Sequence, residues 1–288
     1  MEHGGGKGAV LTATIRTVAE TGSTNADLIA LAASGVAEGL WLRAERQTAG
    51  RGRQGRAWVS PVGNLYASTL VRLRSADPPP ATLALVAAVA LEEVVRVYLP
   101  ALPSSRHPSE SWGLSPSART GGDRPGGPSF RWGDDPGTGG GGAPTLQIKW
   151  PNDLLLDGAK LSGILLERSG DAVVVGIGVN LAHHPDDLDR PATSLAGYGP
   201  PPDAALFLET LADIFARWLA RWRGEGLGPV RARWLERAHP PGTALTARLP
   251  DGEAIDGLFD GMDADGALIL RLADGTRRVI HAGDVFVI

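Results

Sequence analysis

Two hydrophobic rhythms alternate along this chain. Short apolar runs at 15–19, 40–42, 64–73, 146–150, 154–156, 161–167 and 172–177 are of strand length and are bounded by Gly, Pro, Asn or Asp, which predicts strands. Longer apolar stretches fall between them. Ser23-Thr24-Asn25 stands before the run Ala26 to Ala33, with Gly35 where a C-cap glycine belongs. That spacing predicts a helix whose N-terminus carries more hydroxyl and amide groups than one cap requires. Pro80 opens a second, alanine-rich helix running to Leu99, apolar enough to be buried. Two further helices, rich in Ala, Leu, Arg and Trp, are predicted at 204–222 and 229–238. Beyond Pro240-Pro241-Gly242 the rhythm shortens. Asp251-Gly252, Asp265-Gly266 and Asp274-Gly275 are hairpin signals between apolar runs at 245–249, 254–262, 267–272 and 277–281, with a last one at 285–288. The pattern divides the chain into a mixed α/β (α+β) part over 1–240 and a small β part over 241–288.

From 100 to 144 the periodicity vanishes and Gly, Pro and Ser dominate, ending in Gly137-Thr138-Gly139-Gly140-Gly141-Gly142-Ala143-Pro144. Such a stretch buries too little apolar area to offset its ordering entropy, so it is read as a disordered insertion. Trp112, Phe130 and Trp132 leave a second reading open, a segment that binds something. The whole chain, 288 residues with a net charge of −4, lacks the positive field that a sequence-independent nucleic-acid binder needs. It contains no cysteine, which excludes disulfides, thiolate metal sites and a cysteine nucleophile. No signal-peptide core stands at the N-terminus, and the apolar stretch 81–91 is broken by Glu92 and Glu93 before it could span a bilayer. A cytoplasmic protein, with neither membrane nor DNA as partner, is expected.

Candidate chemistry concentrates in Arg43 to Trp58, RAERQTAGRGRQGRAW. Glycine lets backbone N–H groups approach a ligand, and arginine supplies planar, permanent cations, so the loop suits an anion. Gly50, Gly52 and Gly55 formally match the dinucleotide fingerprint, but that motif must open a helix, and here Trp58-Val59-Ser60-Pro61 follows. It is not a Walker loop either. A solvated arginine loop and a nucleic-acid contact remain as alternatives on this segment alone. Lys149 precedes a turn at Pro151-Asn152-Asp153 and Lys160 follows one at Asp157-Gly158; Gly163 lies inside a predicted strand, where glycine marks a bulge or a close approach, and Gly176 and Gly178 repeat that signal at the end of the next. Taken singly, the two lysines read as exposed turn residues.

The series Ser23-Thr24-Asn25, Gln47 with GRGRQGRAW at 50–58, KWPNDL at 149–154, Lys160 with LSGILLE at 161–167, and GIGVNL at 176–181 resembles the biotin protein ligases, in order and over nearly all of 15–185 outside the insertion. The resemblance implies a mixed-sheet catalytic domain of the biotin/lipoate ligase type and a C-terminal SH3-like β-barrel. It also implies a two-step reaction, in which biotin and ATP form biotinyl-5'-AMP and the biotinyl group then passes to a lysine of a biotin carboxyl carrier protein. On that reading Lys160 and Arg51 act in catalysis. Arg53 joins them as a cation where negative charge accumulates, Lys149 shares the triphosphate with Mg²⁺, Arg56 is a further cofactor-binding residue of the loop, and Gly50, Gly52 and Gly163 allow close approach. Ser23, Thr24, Asn25 and Gln47 bind biotin, Trp58 covers the adenylate, and Asn152, Asp153 and Asn180 serve nucleotide or metal. The first strand begins too early for a preceding helix-turn-helix, so a purely catalytic protein is expected. A homodimer is admitted. Lipoate or octanoate ligases of the same fold are the enzymatic rivals, and a nucleic-acid module using GRGRQGR is the rival of another class. Replacing 100–144 by a short Gly/Ser connection is expected to leave biotin-dependent activity nearly unchanged; loss of folding or of biotin affinity in that variant would make the segment structural.

Overall fold

The computed structural model describes residues 13–99, 143–186 and 190–288. The expected insertion, with Trp112, Phe130 and Trp132, therefore lies outside the described residues, apart from its last two positions. Seven strands, β1 (Thr14–Thr21), β2 (Leu40–Gln47), β3 (Leu65–Arg72), β4 (Leu146–Lys149), β5 (Asp153–Leu156), β6 (Ala159–Ser169) and β7 (Ala172–Val179), form one sheet in the order β1-β2-β3-β7-β6-β5-β4. Only β1 and β2 pair in parallel, and the crossover that a parallel pair requires is supplied by helix α1 (Thr24–Ala33). All other neighbours are antiparallel.

The sheet is covered on both faces, and strand alternation decides which residue meets which cover. Leu70 of β3 and Ala172 and Val174 of β7 pack with Leu28 and Ala32 of α1. Leu65, Ala67 and Val71, with Val173, Val175, Ile177 and Val179, join the larger core on the opposite face. That second face is closed by helices α2 (Leu83–Tyr98), α3 (Ala204–Glu225) and α4 (Gly228–Arg237). A strand buried on both sides reads as an unbroken apolar run, which is why AVVV in β7 shows no alternation. Helix α2 starts three residues later than its sequence suggests. Pro80–Thr82 form a single 3-10 turn, and the Thr82 hydroxyl donates to the Pro79 carbonyl at 2.6 Å while accepting from Trp222 Nε1 at 2.8 Å. Helix α3 runs on to Glu225, held by an Arg221–Glu225 pair at 2.9 Å, and stops where Gly226 takes φ 77°.

A second, five-stranded antiparallel sheet follows: β8 (Ala244–Arg248), β9 (Ala254–Met262), β10 (Leu268–Arg271), β11 (Arg277–Ile280) and β12 (Asp284–Val287), in the order β11-β10-β9-β8-β12. Gly252, Gly266 and Gly275 take φ 93°, 89° and 83°, as the three Asp-Gly signals require. This sheet packs against the larger part. The Trp234 and Phe259 rings lie 6.4 Å apart, and Trp150 Nε1 donates to the Gly266 carbonyl at 3.1 Å. Among the described residues no helix is long and apolar enough to cross a membrane.

One charge lies within the helical layer. The Glu92 carboxylate on α2 is fully buried, and Arg96, Arg233 at 2.9 Å and Arg237 at 3.5 Å surround it. Removing one partner from such a cluster leaves buried charge uncompensated, so Glu92→Ala is expected to cost about 3 kcal/mol. Chemical denaturation measures this; a loss near zero would show that the arginines reach solvent freely.

Candidate functional site

On the α1 face of the sheet the side chains shrink toward one end. Along β7 the α1-facing series runs Ala172, Val174, Gly176, Gly178, and beside it Ser68 of β3 and Gly163 of β6 occupy neighbouring positions in the register. Removing side chains from three adjacent positions leaves a bare floor, which the groups above it fill. A methyl at Gly176 would lie 2.2 Å from Asn25 Oδ1, and one at Gly178 would lie 2.7 Å from the Trp58 indole.

One end of this floor is built of hydroxyl and amide groups, which the Glu167 carboxylate joins through Asn25. Thr24 is placed by the start of α1: its backbone N–H donates to Gln47 Oε1 at 2.9 Å, and its hydroxyl lies 2.7 Å from Ser68 Oγ. Ser68 Oγ donates to Asn25 Oδ1 at 2.6 Å, while Asn25 Nδ2 donates to Glu167 Oε2 at 2.7 Å. Gln47 Nε2 reaches Ser60 Oγ at 3.3 Å. Ser23 is the buried N-cap of α1, yet its side chain makes no capping hydrogen bond. Thr24, Asn25 and Gln47 therefore converge, and Ser23 is not among the residues that these hydrogen bonds join. Ser60, Ser68 and Glu167 complete the network and carried no expected role; Glu167 sits inside a recognised motif, whereas the two serines have no signal beyond their strand or loop position.

The other end is cationic. Asp153, at the start of β5, is held between Lys149 at 2.9 Å and Lys160 at 2.7 Å. Burial would raise its carboxyl, but the two ammonium groups, Lys160 ahead of Lys149, outweigh burial and hold it at about 2. Burial pulls Lys149 below the usual lysine range, with Asp153 pulling the other way. Its Nζ also donates to the Val285 carbonyl at 3.0 Å. Lys160 is the more exposed of the pair, and its Nζ lies 5.6 Å from the centre of the Trp58 ring. The Trp58 indole spans Gly163 and Gly178, and its buried Nε1 has no hydrogen-bond partner among the described residues. Two of the expected site residues hold backbone in place: Asn152 Nδ2 donates to the Ile164 carbonyl, and Asn180 Nδ2 donates to Thr193 O at 3.0 Å and to Lys160 O at 3.5 Å.

The arginine loop closes on itself. Trp58 N–H donates to Gly50 O at 2.9 Å and Gly52 N–H to Arg56 O at 2.7 Å, with Gln54 and Gly55 at φ 55° and 72° forming the turn. A methyl at Gly50 would lie 2.6 Å from the Trp58 carbonyl, so that position requires glycine. Arg53 Nη1 donates to Asn152 Oδ1 at 3.3 Å, which ties the loop to the lysine cluster. Arg51 is exposed, and its side chain makes no hydrogen bond or ion pair among the described residues. Asp284 and Arg190, absent from the expected set, meet the loop as well: Asp284 pairs with Arg53 at 3.3 Å, with Arg56, and with Arg190 at 3.6 Å. No signal along the chain could have found the Arg56–Asp284 pair, whose partners are 228 positions apart.

Gly176→Ala is expected to displace Asn25 and weaken biotin binding at least tenfold, with the fold retained; calorimetric titration with biotin measures it, and unchanged affinity would remove Asn25 from the site. Asp153 yields a pH dependence. Its folded-state value lies below the ~3.9 of a free carboxyl, so the interaction stabilises the protein above about pH 4 and is lost as pH falls toward 2. The expected loss over that interval is about 2–3 kcal/mol, and Asp153→Asn should flatten that part of the acid-unfolding curve while lowering stability at neutral pH.

Residues 23–181 match the biotin/lipoate A/B protein ligase family, and residues 244–287 match the biotin protein ligase C-terminal domain. The biotin–[acetyl-CoA-carboxylase] ligase of Paracoccus denitrificans is 38% identical over 280 residues, covering 93% of this chain and 98% of that protein. The ligase of the same name from Mycobacterium tuberculosis is 33% identical over 274 residues, covering 93% and 86%. Among solved structures, the biotin protein ligase of Aquifex aeolicus in complex with biotin and ATP superposes with a TM-score of 0.72 at 22% identity, over 96% of this chain and 99% of that one. With both segments matched and the motif residues gathered on one floor, the chain belongs to the biotin/lipoate A/B protein ligase family.

Proposed function

We propose that the chain is a biotin protein ligase, which activates biotin as biotinyl-5'-AMP and transfers the biotinyl group to a lysine of a biotin carboxyl carrier protein. One observation carries the reading: an end of hydroxyl and amide groups, built by Thr24, Asn25, Gln47 and Ser68, and a cationic end, built by Lys149, Lys160 and Arg53, share one glycine floor. Biotin has this division, with an uncharged ureido ring that needs hydroxyl and amide partners and a carboxylate that needs cations.

In the first step a carboxylate oxygen of biotin attacks the α-phosphorus of ATP, forming the mixed anhydride and releasing pyrophosphate. Two anions must meet, so preorganised positive charge where the negative charge accumulates lowers the barrier. Lys160 of β6 supports this role: its ammonium is anchored by Asp153 and lies beside Gly163 on the floor. Lys149 is buried more deeply and fixes Asp153. Arg53 supplies a second cation from the loop, and Trp58 lies over the glycines where the adenylate would be shielded from water. In the second step the neutral amine of the acceptor lysine attacks the acyl carbon, an amide forms, AMP leaves, and the amine's proton passes to solvent or base.

The described residues offer Mg²⁺ no cage of their own. Both oxygens of Asp153 are engaged by lysines, and Glu167 Oε2 accepts from Asn25. Among the described residues no three metal-binding side chains cluster. Phosphate oxygens and water would hold the metal ion.

ATP/pyrophosphate exchange tests the reading. Biotin is expected to stimulate it, and lipoate and octanoate are not; stimulation by either of those instead would make the chain a ligase of that acid. Lys160→Ala should lower biotin-dependent exchange by roughly 10²–10³-fold, the size of effect seen when one charge-stabilising group is removed. Near wild-type exchange in that variant would take Lys160 out of the chemistry.

A further inference from the structure

Three successive residues, Gly283 and the first two of β12, reach into the cationic end of the site. Gly283 O accepts from Arg53 at 3.1 Å, the Asp284 carboxylate meets Arg53, Arg56 and Arg190, and Val285 O accepts from Lys149 at 3.0 Å. The Asp284 side chain is only 12% exposed. Arg53 and Arg56 of one loop and Arg190 of another stretch are three like charges, and they would repel unless an anion lay between them. The glycines of the arginine loop add backbone entropy that favours an open state. Both arguments predict that the loop orders only when a ligand anion arrives. The structure supplies that anion from within the chain.

The manner of pairing is informative. Asp284 takes one terminal nitrogen from each guanidinium: Nη1 of Arg53, Nη2 of Arg56 and Nη2 of Arg190. Arg53 has no hydrogen bond from Nε or Nη2 among the described residues, and Arg56 none from Nε or Nη1. Each fork is held by one tine and leaves the rest to receive a ligand. Arg190 is further fixed over the Phe286 ring, 4.0 Å from its centre, so the third arginine is anchored to β12 twice. Charge balance points the same way. Around the cationic end, Lys149, Lys160, Arg53, Arg56 and Arg190 face Asp153 and Asp284, which leaves an excess of three positive charges for an incoming polyphosphate.

We propose that Asp284 is a positioning residue for nucleotide binding: a resident counter-anion, contributed by the second sheet, that gathers Arg53, Arg56 and Arg190 and orders the arginine loop before ATP arrives. The proposal rests on the ligase reading for the identity of the nucleotide, but not for the ordering of the loop, which can be measured without activity.

Asp284→Asn keeps the shape of the side chain and removes its charge. Trypsin cuts after Arg51, Arg53 and Arg56, so the initial rate of cleavage in this loop without ligand should rise about tenfold in the variant. The KM for ATP in biotin-dependent exchange should rise by a similar factor, with kcat within about threefold and biotin affinity within twofold of the parent. Asp284→Glu, which retains the charge one methylene further out, should recover most of both effects. Arg56→Gln provides the coupling test, since combined with Asp284→Asn it should raise the ATP KM by less than the product of the two single effects. Unchanged loop cleavage in Asp284→Asn overturns the proposal, as does a fall in the ATP KM, which would make the carboxylate a competitor of the phosphates. If Asp284→Asn does not fold, the decision passes to Asp284→Glu and Arg56→Gln. Wild-type loop cleavage in both overturns the proposal, and faster cleavage in Arg56→Gln supports it. Failure of the ligase reading is separate and shows in the parent protein, as exchange that biotin does not stimulate.

Discussion

Everything at the site depends on the end of one strand, where side chains remain on one face only. At its end β7 keeps Ile177 and Val179 in the core on one side and presents Gly176 and Gly178 on the other. Asn25 can lie against the backbone at the first glycine and the Trp58 indole against the second only because no Cβ intervenes. The same geometry sets the reach of α1. Helix and sheet are held apart by Leu28, Ala32, Leu70 and Val174 further along, and the gap this spacing leaves over the glycines is where the polar residues collect. Packing and binding are thus two stretches of one interface, one filled and one left bare.

The polar groups around the floor are compensated in different ways at its two ends. At the hydroxyl and amide end each side chain has a side-chain partner, in a chain from Gln47 through Thr24, Ser68 and Asn25 to Glu167. Such a network is costly to leave incomplete, and it holds each amide and hydroxyl in one orientation. At the cationic end the compensation is partial by arrangement. Asp153 satisfies two lysines, which leaves positive charge in excess, and the low exposure of Lys149 keeps water from screening it.

Much of this was legible along the chain, for reasons that are local. Hairpin glycines, the α1 cap and the apolar runs of β3 and β7 are short-range signals, and the elements formed where those signals stood. Thr24, Asn25, Gln47, Lys149, Asn152, Asp153, Lys160 and Trp58 also gathered as their motifs implied. Arg51 is exposed, and its side chain makes no hydrogen bond or ion pair among the described residues. Ser68 sat unnoticed in a strand because a buried serine carries no pattern of its own. Asp284 was hidden for a different reason. It stands one residue before the last predicted strand, at the first position of β12, and its meaning comes from arginines that the fold, and not the sequence order, brings to it.

The order of strands has a consequence for how this chain reaches its native state. β3 ends at Arg72 and its partner β7 begins at Ala172, so the centre of the seven-stranded sheet is a long-range pairing that spans residues 100–142. The closure entropy of such a loop grows only with the logarithm of its length, about 0.6 kcal/mol for each doubling, which the finished fold absorbs easily. The search for that pairing is another matter, because folding slows as the mean separation of contacting residues grows. Hairpin β6–β7 can form early from neighbours, whereas β3 must wait for a partner a hundred residues away. A length of chain that weighs little on stability therefore weighs on the folding rate, and it prolongs the interval in which two apolar strand edges stand open to other chains.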